Sequence, residues 1–286
     1  MGLVATHRQN LSAEAATPNR FLSKNIWSSF PRREHLDDFT KYSYWEDDFT
    51  NVPALTLNTA AVNRYPYMSF IDTSDTIVAL ATVKMNGVLR LANAATDNNA
   101  PVITLAGDTG NAFMISDTAG DNQPLWFEAR WRKSIITDNG MAMFLGLCEE
   151  ARAVNNGLLI DDTGVLADID HIGFNVAQDN GEELNFAWTK SGQADVELIA
   201  ALDTLVASTW YKSGFRYDTT GDALRRIRVY QNNVEQSTWG TATQIATATF
   251  PDAEELTFAF GSKDGTGAAG NLDIDWVRIA QHQTET

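Results

Sequence analysis

From Trp45 to the C-terminus, apolar and polar residues alternate in short runs separated by turn residues, and a period of two predicts strands. The run 125–132 puts Leu125, Phe127, Ala129 and Trp131 on one face and Trp126, Glu128, Arg130 and Arg132 on the other, the pattern of a half-buried strand. Residues 76–83 and 88–92 flank Asn86-Gly87, a dipeptide suited to a tight hairpin because both positions tolerate positive φ. Residues 101–105 and 112–115 bracket Gly107-Asp108-Thr109-Gly110-Asn111 and predict a second hairpin. Further strands are expected at 141–148, 171–177, 184–190, 210–217, 226–230, 256–260 and 272–279, with single helical turns at 148–154 and 251–255. Without crossover helices a parallel α/β architecture is excluded. The fold expected is all-β, a two-sheet antiparallel jelly-roll sandwich.

Residues 1–44 break this pattern. They scatter Phe21, Ile26, Trp27, Phe30, Tyr42 and Tyr44 among polar positions with no period, which reads as an extended N-terminal arm ahead of a domain at 45–286. Up to Arg33 the arm carries Arg8, Arg20, Lys24, Arg32 and Arg33 against Glu14 alone. It is therefore +4, within a chain whose net charge is -16. Large apolar groups left in water favour association by about 25 cal/mol per Å² that they bury, so Trp27 and Phe30 are expected to be anchors. Two destinations are open: the arm's own sandwich, or a neighbouring subunit or other acidic protein. The second is the expectation, with Arg8, Arg20, Trp27, Phe30, Arg32 and Arg33 as partner-binding residues.

Charge narrows the partners. With 21 Lys and Arg against 37 Asp and Glu, the whole surface repels nucleic-acid phosphates and anionic lipid. No apolar run approaches the roughly 20 residues of a spanning helix, and the first residues lack the order of a secretory signal. Cys148 is the single cysteine and sits in an apolar run, so it reads as core and no intrachain disulfide can form.

Candidate chemistry is sparse. Asp-rich turns at 161–164, at Asp168-Ile169-Asp170, at Asp179-Asn180-Gly181 and at 117–121 offer hard oxygen ligands for Ca²⁺ if the sandwich brings two of them together, but none has the EF-hand register and Asp favours turns anyway. Paired acids of a glycosidase are approached only by Asp168/Asp170 and Asp273/Asp275, the latter placed on the solvated side of an edge strand. His7, His35, His171 and His282 lack metal-ligand spacing, and neither a nucleophile elbow nor a phosphate loop is present. Trp126, Trp188, Trp210 and Trp239 are available for sugar stacking or for packing. No catalytic residue, metal ligand or cofactor is assigned.

The segments Trp210-Tyr211-Lys212-Ser213-Gly214-Phe215, Ile227-Arg228-Val229-Tyr230-Gln231-Asn232 and Leu272-Asp273-Ile274-Asp275-Trp276-Val277-Arg278-Ile279, in this order, resemble the final strands of laminin-G-like, concanavalin A-like jelly rolls. Residues 168–174 are similar to that family's central strand. The resemblance spans about the last two-thirds of the chain and implies the fold, which hosts lectins, hydrolases and structural modules. The domain together with its arm resembles capsid decoration or cement proteins of tailed bacteriophages. That likeness implies a non-enzymatic virion protein, a dimer or trimer on the capsid exterior assembled in the host cytoplasm, contacting the major capsid protein or neighbouring subunits through the arm. Removing 1–44 should then leave a folded sandwich unable to bind capsids. The alternative is a carbohydrate-binding module of a phage fibre that takes a surface glycan; a hydrolase or lyase on the same fold ranks third.

Overall fold

The computed structural model describes residues 21–50, 62–64, 66–72, 74–80, 87–105, 113–118, 123–153, 157–159, 166–265, 267 and 269–283. Short helices α1 (Lys24–Trp27) and α2 (Arg32–Asp37) precede β1 (Tyr42–Asp47), β2 (Val62–Arg64), β3 (Tyr67–Phe70), β4 (Thr76–Ala79), β5 (Leu89–Ala92), β6 (Val102–Leu105), β7 (Phe113–Ile115), β8 (Leu125–Lys133) and β9 (Met141–Cys148). There follow β10 (His171–Val176), β11 (Glu183–Thr189), β12 (Val196–Thr204), β13 (Tyr211–Tyr217), β14 (Ile227–Gln231), β15 (Val234–Gly240), α3 (Ala242–Ile245), β16 (Glu254–Asp264) and β17 (Asn271–His282).

The strands form two antiparallel sheets. The first runs β15-β14-β13-β8-β17-β5-β4, with β1 also on β17; the second runs β12-β11-β10-β9-β16-β6-β3-β2, with β7 also on β16. Alternate positions fill the space between them: Leu125, Phe127, Ala129, Trp131, Ile274, Val277 and Ile279 from the first sheet meet Met143, Leu145, Leu147, Ile172, Phe174, Phe258 and Phe260 from the second. The expected two-sheet sandwich is what the chain forms, and Cys148 is buried within it.

The Asn86-Gly87 hairpin pairs Ile77 with Leu91 and Ala79 with Leu89, although residues 81–86 of its turn lie outside the described residues. The second expected hairpin is different. β6 and β7 do not pair with each other; β6 lies on residues 259–261 of β16 and β7 on 254–256, end to end along one partner. Both runs have the composition of strands, but the partner is decided by the long β16, which satisfies the backbone of each. Nor is there a helix at 148–153 or 251–255. The short helix α3 forms instead at Thr241, whose side chain and that of Gln244 make a reciprocal capping box.

Both outer faces are covered, which corrects the half-buried reading of β8. On the second sheet, Leu158, Leu159, Leu166 and Ile169 from the loop after β9 pack on Ala142, Phe144, Cys148 and Ala259. Glycines make this close approach possible: a Cβ on Gly261 would meet the Leu158 side chain at 2.4 Å. On the first sheet, Ile26, Trp27, Phe30 and Tyr42 pack on Trp126, Tyr230 and Ala280.

The arm from residue 21 onward is thus part of the globule. Trp27 is 3% and Phe30 7% exposed, with Phe30 inside a ring of Trp27, Tyr42, Tyr44 and Trp126. The buried Glu128 carboxylate accepts hydrogen bonds from Ser23 N at 3.1 Å and Trp27 Nε1 at 2.8 Å, and burial pushes its pKa up. Lys212, on the next strand, donates to the Phe21 carbonyl at 3.1 Å. Trp27 and Phe30 are therefore anchors on their own sandwich, because that face of β8 and β17 presents Trp126, Ala280 and the buried Glu128 carboxylate, which Ser23 N and Trp27 Nε1 satisfy. The boundary drawn after residue 44 falls inside β1, which pairs with β17 from Tyr42↔His282 to Asp47↔Val277. Of the other expected contact residues, Arg32 is exposed, while Arg8, Arg20 and the Arg33 side chain lie outside the described residues. No helix among the described residues is long and apolar enough to cross a membrane.

Candidate functional site

Strand β17 carries the residues of interest because it is irregular. Ile274 and Val277 both face the core, three positions apart, and the register with β8 shifts between Ile274 and Trp276. This bulge turns Asp275 and Trp276 outward together. Asp275 meets Arg130 at 2.6 Å, and Asp273 is shared by Arg90 at 2.7 Å and Arg132 at 2.8 Å. Both acids are buried on a strand flanked on either side, not solvated on an edge as expected from sequence. With their charges held by guanidinium groups, they are a structural ladder. Arg130 and Arg132 in turn stack on Trp210, 4.4 and 4.6 Å from its ring centre.

Where β1 ends beside the bulge, Glu46, Asp47, Asp48, Trp276 and Arg278 line a depression of about 200 Å³. Cross-strand pairing puts Glu46 opposite Arg278, and the two form an ion pair at 2.9 Å. Tyr44 donates to Glu46 at 2.5 Å. Asp47 accepts from the Tyr67 hydroxyl and, at 2.6 Å, from Phe49 N; Asp48 accepts from Thr50 Oγ1 at 3.0 Å. Trp276 is 5% exposed and has the Arg278 guanidinium 5.7 Å from its ring. The depression joins carboxylate acceptors, one guanidinium donor and an aromatic edge.

The residues singled out from sequence fall elsewhere. Trp126 and Trp188 are buried, Trp210 lies under two arginines, and half-buried Trp239 is stacked by Arg225 at 3.9 Å. Asp168 and Asp170 accept from Gly192 N and Ser191 N at 2.7 and 3.0 Å, closing the turn after β11. Asp179 follows β10 while Asp168 and Asp170 precede it, so a whole strand separates these turns. Residues 161–164 and 119–121 lie outside the described residues; Asp117 N donates to Asp252 at 2.7 Å. Among the described residues, no group of three or more His, Cys, Asp or Glu side chains gathers as a metal cluster. His35 packs against Phe30, Tyr42 and Tyr44, buried His171 packs against Phe144, and His282 contacts Gln123; His7 lies outside the described residues. The outward positions of β9, β10 and β16 include Ala142, Phe144, Gly146, Cys148, His171, Gly173, Asn175, Ala259, Gly261 and Lys263, and no acid pair stands there.

No protein-family model and no curated protein matches the chain. Solved structures do. The carbohydrate recognition domain of Emp47p is 12% identical over 85% of this chain and 97% of its own, with a TM-score of 0.53. Peanut lectin is 10% identical over 86% of this chain and 100% of its own, TM-score 0.50. An endo-1,3-beta-glucanase from Streptomyces sioyaensis is 13% identical over 86% and 98%, TM-score 0.51. The fold is a concanavalin A-like jelly roll. Such jelly rolls include lectin domains and glycan-processing enzymes, and at these identities the likeness speaks for the fold alone.

Of the depression's residues, sequence reading singled out Trp276 and Arg278, both as part of the final-strand motif. The signal was the three-residue gap between core positions Ile274 and Val277, which marks a bulge; nothing in the sequence pairs β1 with β17.

Proposed function

We propose that this jelly roll is a non-catalytic glycan-binding module whose site is the depression between β1 and β17. The observation that carries this reading is the meeting of Trp276 with Glu46, Asp47, Asp48 and Arg278 on one concave surface. Sugar hydroxyls are recognised by carboxylates that accept two bonds in fixed directions, with a guanidinium as donor and an aromatic edge against the C–H face of the ring. Glu46 and Asp47 are held in place by Arg278, Tyr44 and Tyr67, and this fixes acceptor geometry. A hydrolase needs instead a protonated acid facing a second carboxylate across the scissile bond, whereas here all three acids come from consecutive positions at one strand end.

The test is a glycan array with the full chain, repeated with half-buried Asp48→Ala and exposed Glu46→Ala. Losing hydrogen bonds to a charged group is worth about 1.5–3 kcal/mol, so each variant should bind roughly tenfold or more weakly at unchanged Tm. An array with no bound glycan, or binding indifferent to both changes, would overturn the reading. Attachment to a capsid surface, the role expected from the arm, loses Trp27 and Phe30 as free anchors; it would rest on Arg8, Arg20, Arg32 and Arg33.

A further inference from the structure

One end of the space between the sheets is polar. Inward positions continue past the apolar core: Asp75 two residues before Ile77, Asn93 two after Leu91, and Ser262 and Asp264 beyond Phe260. All four are buried, Asp75 and Asp264 completely. The loop 93–99 wraps this end. Ala94 N and Asn99 Nδ2 donate to Asp75 Oδ1 at 2.7 and 3.3 Å. Asn93 Nδ2 donates to Asn99 O at 2.9 Å and Ser262 Oγ to Asn93 Oδ1 at 2.7 Å. Asp264 N donates to Asn99 O at 2.8 Å, and Asn98 N to Asp264 O at 3.2 Å.

Two oxygens in this network accept nothing. Asp75 Oδ2 and Asn98 Oδ1 are buried without a hydrogen-bond partner, and Asp75 forms no ion pair among the described residues. The neighbouring charge is Asp72, and burial together with that charge pushes the Asp75 carboxyl up to about 6. A buried carboxylate oxygen left without a donor is a costly arrangement that calls for a cation.

We propose that this end of the sandwich binds one Ca²⁺ ion, held by Asp75 Oδ2, Asn98 Oδ1 and the Asp264 carboxylate, with carbonyl oxygens of the 93–99 loop completing the shell. The donor set is oxygen only and its two carboxylates match the charge of the ion. Calcium takes 6–8 such ligands in irregular geometry, where magnesium demands a near-ideal octahedron and keeps its waters. The site uses no residue of the four acid-rich turns, and joins β4, the β5–β6 loop and the end of β16. It is independent of the glycan reading.

The experiment is a melting curve and a calorimetric titration of the full chain after EDTA treatment, with CaCl₂ and MgCl₂ in separate arms. At calcium a hundredfold above its dissociation constant, Tm should rise by roughly 5 °C or more, with a much smaller response to magnesium. Asp75→Asn should abolish the rise. Asn98→Gly removes only the amide, since glycine accommodates the φ of 69 at this position, and should weaken binding at least tenfold while folding normally. No calcium-dependent rise in the wild type, or an equal rise in both variants, would overturn the proposal.

Discussion

Lys133 occupies the last inward position of β8, where Leu125, Phe127, Ala129 and Trp131 have set the core side. Its ammonium is buried and donates to the Gly181 carbonyl at 2.8 Å. Burial lowers its pKa to about 7, opposed only in part by Glu182. Between about pH 7 and the ordinary value of 10.5 the unfolded chain binds the extra proton, so stability rises with pH across that window and the full penalty stands below it. Replacing such a charge by an apolar residue is often neutral or stabilising. Lys133→Met should therefore gain about 1–2 kcal/mol at pH 7 and lose that advantage near pH 10, followed as Tm against pH; an equal gain at both values would contradict this account. At this scale the sequence told which face a residue takes, but not its company. Trp27 and Phe30 were legible as anchors and Asp273 and Asp275 as neighbours on one face, yet Glu128, Arg90, Arg130 and Arg132, which decide what those residues do, come from elsewhere in the chain.

Among the elements, regular strands were the easiest to see and the bulged or short ones were not. The stretch Val196–Thr204 has the run Leu198-Ile199-Ala200-Ala201-Leu202, which breaks a period of two, and the β11–β12 register indeed shifts twice. Helices α1 and α2 are too short for a repeating apolar face, and tertiary packing sustains them. The arm illustrates the consequence. Deleting residues 1–41 keeps β1 but uncovers Trp126, Tyr230 and Ala280 and strips Ser23 and Trp27 from Glu128. Losing a buried Trp alone costs about 3–5 kcal/mol. The shortened chain should melt at least roughly 10 °C lower and bind a dye for exposed apolar surface; an unchanged Tm would show that the arm is dispensable to the fold, as the sequence alone suggested. A milder case is Gly146, where an added Cβ would lie 2.5 Å from the Ile172 carbonyl, so the approach of β9 and β10 depends on a residue without a side chain.

At the scale of the molecule, three apolar clusters are stacked: one between the sheets, one under the loop after β9 and one under the arm. Cys148 belongs to the outer layer under the loop after β9, and burial pushes its thiol up to about 12. It should stay unreactive toward a thiol reagent at pH 8 until denaturant unfolds the chain, with labelling and circular dichroism following one curve. Labelling well before loss of sheet signal would mean that the loop cover opens on its own. The sequence by itself determined the class of fold, since alternation fixes which side chains leave water and two-sided ribbons can bury them only by facing one another. It also determined the single buried thiol and the segregation of basic charge in the arm. Only the tertiary structure decided that the arm's aromatic residues close on their own sheet, that β6 and β7 share β16, and that Glu46 meets Trp276 and Asp75 lies beneath the 93–99 loop. The physical reason is common to all of these: each is a contact between segments distant in the chain, chosen by which buried group lacked a partner, and a local pattern carries no record of that.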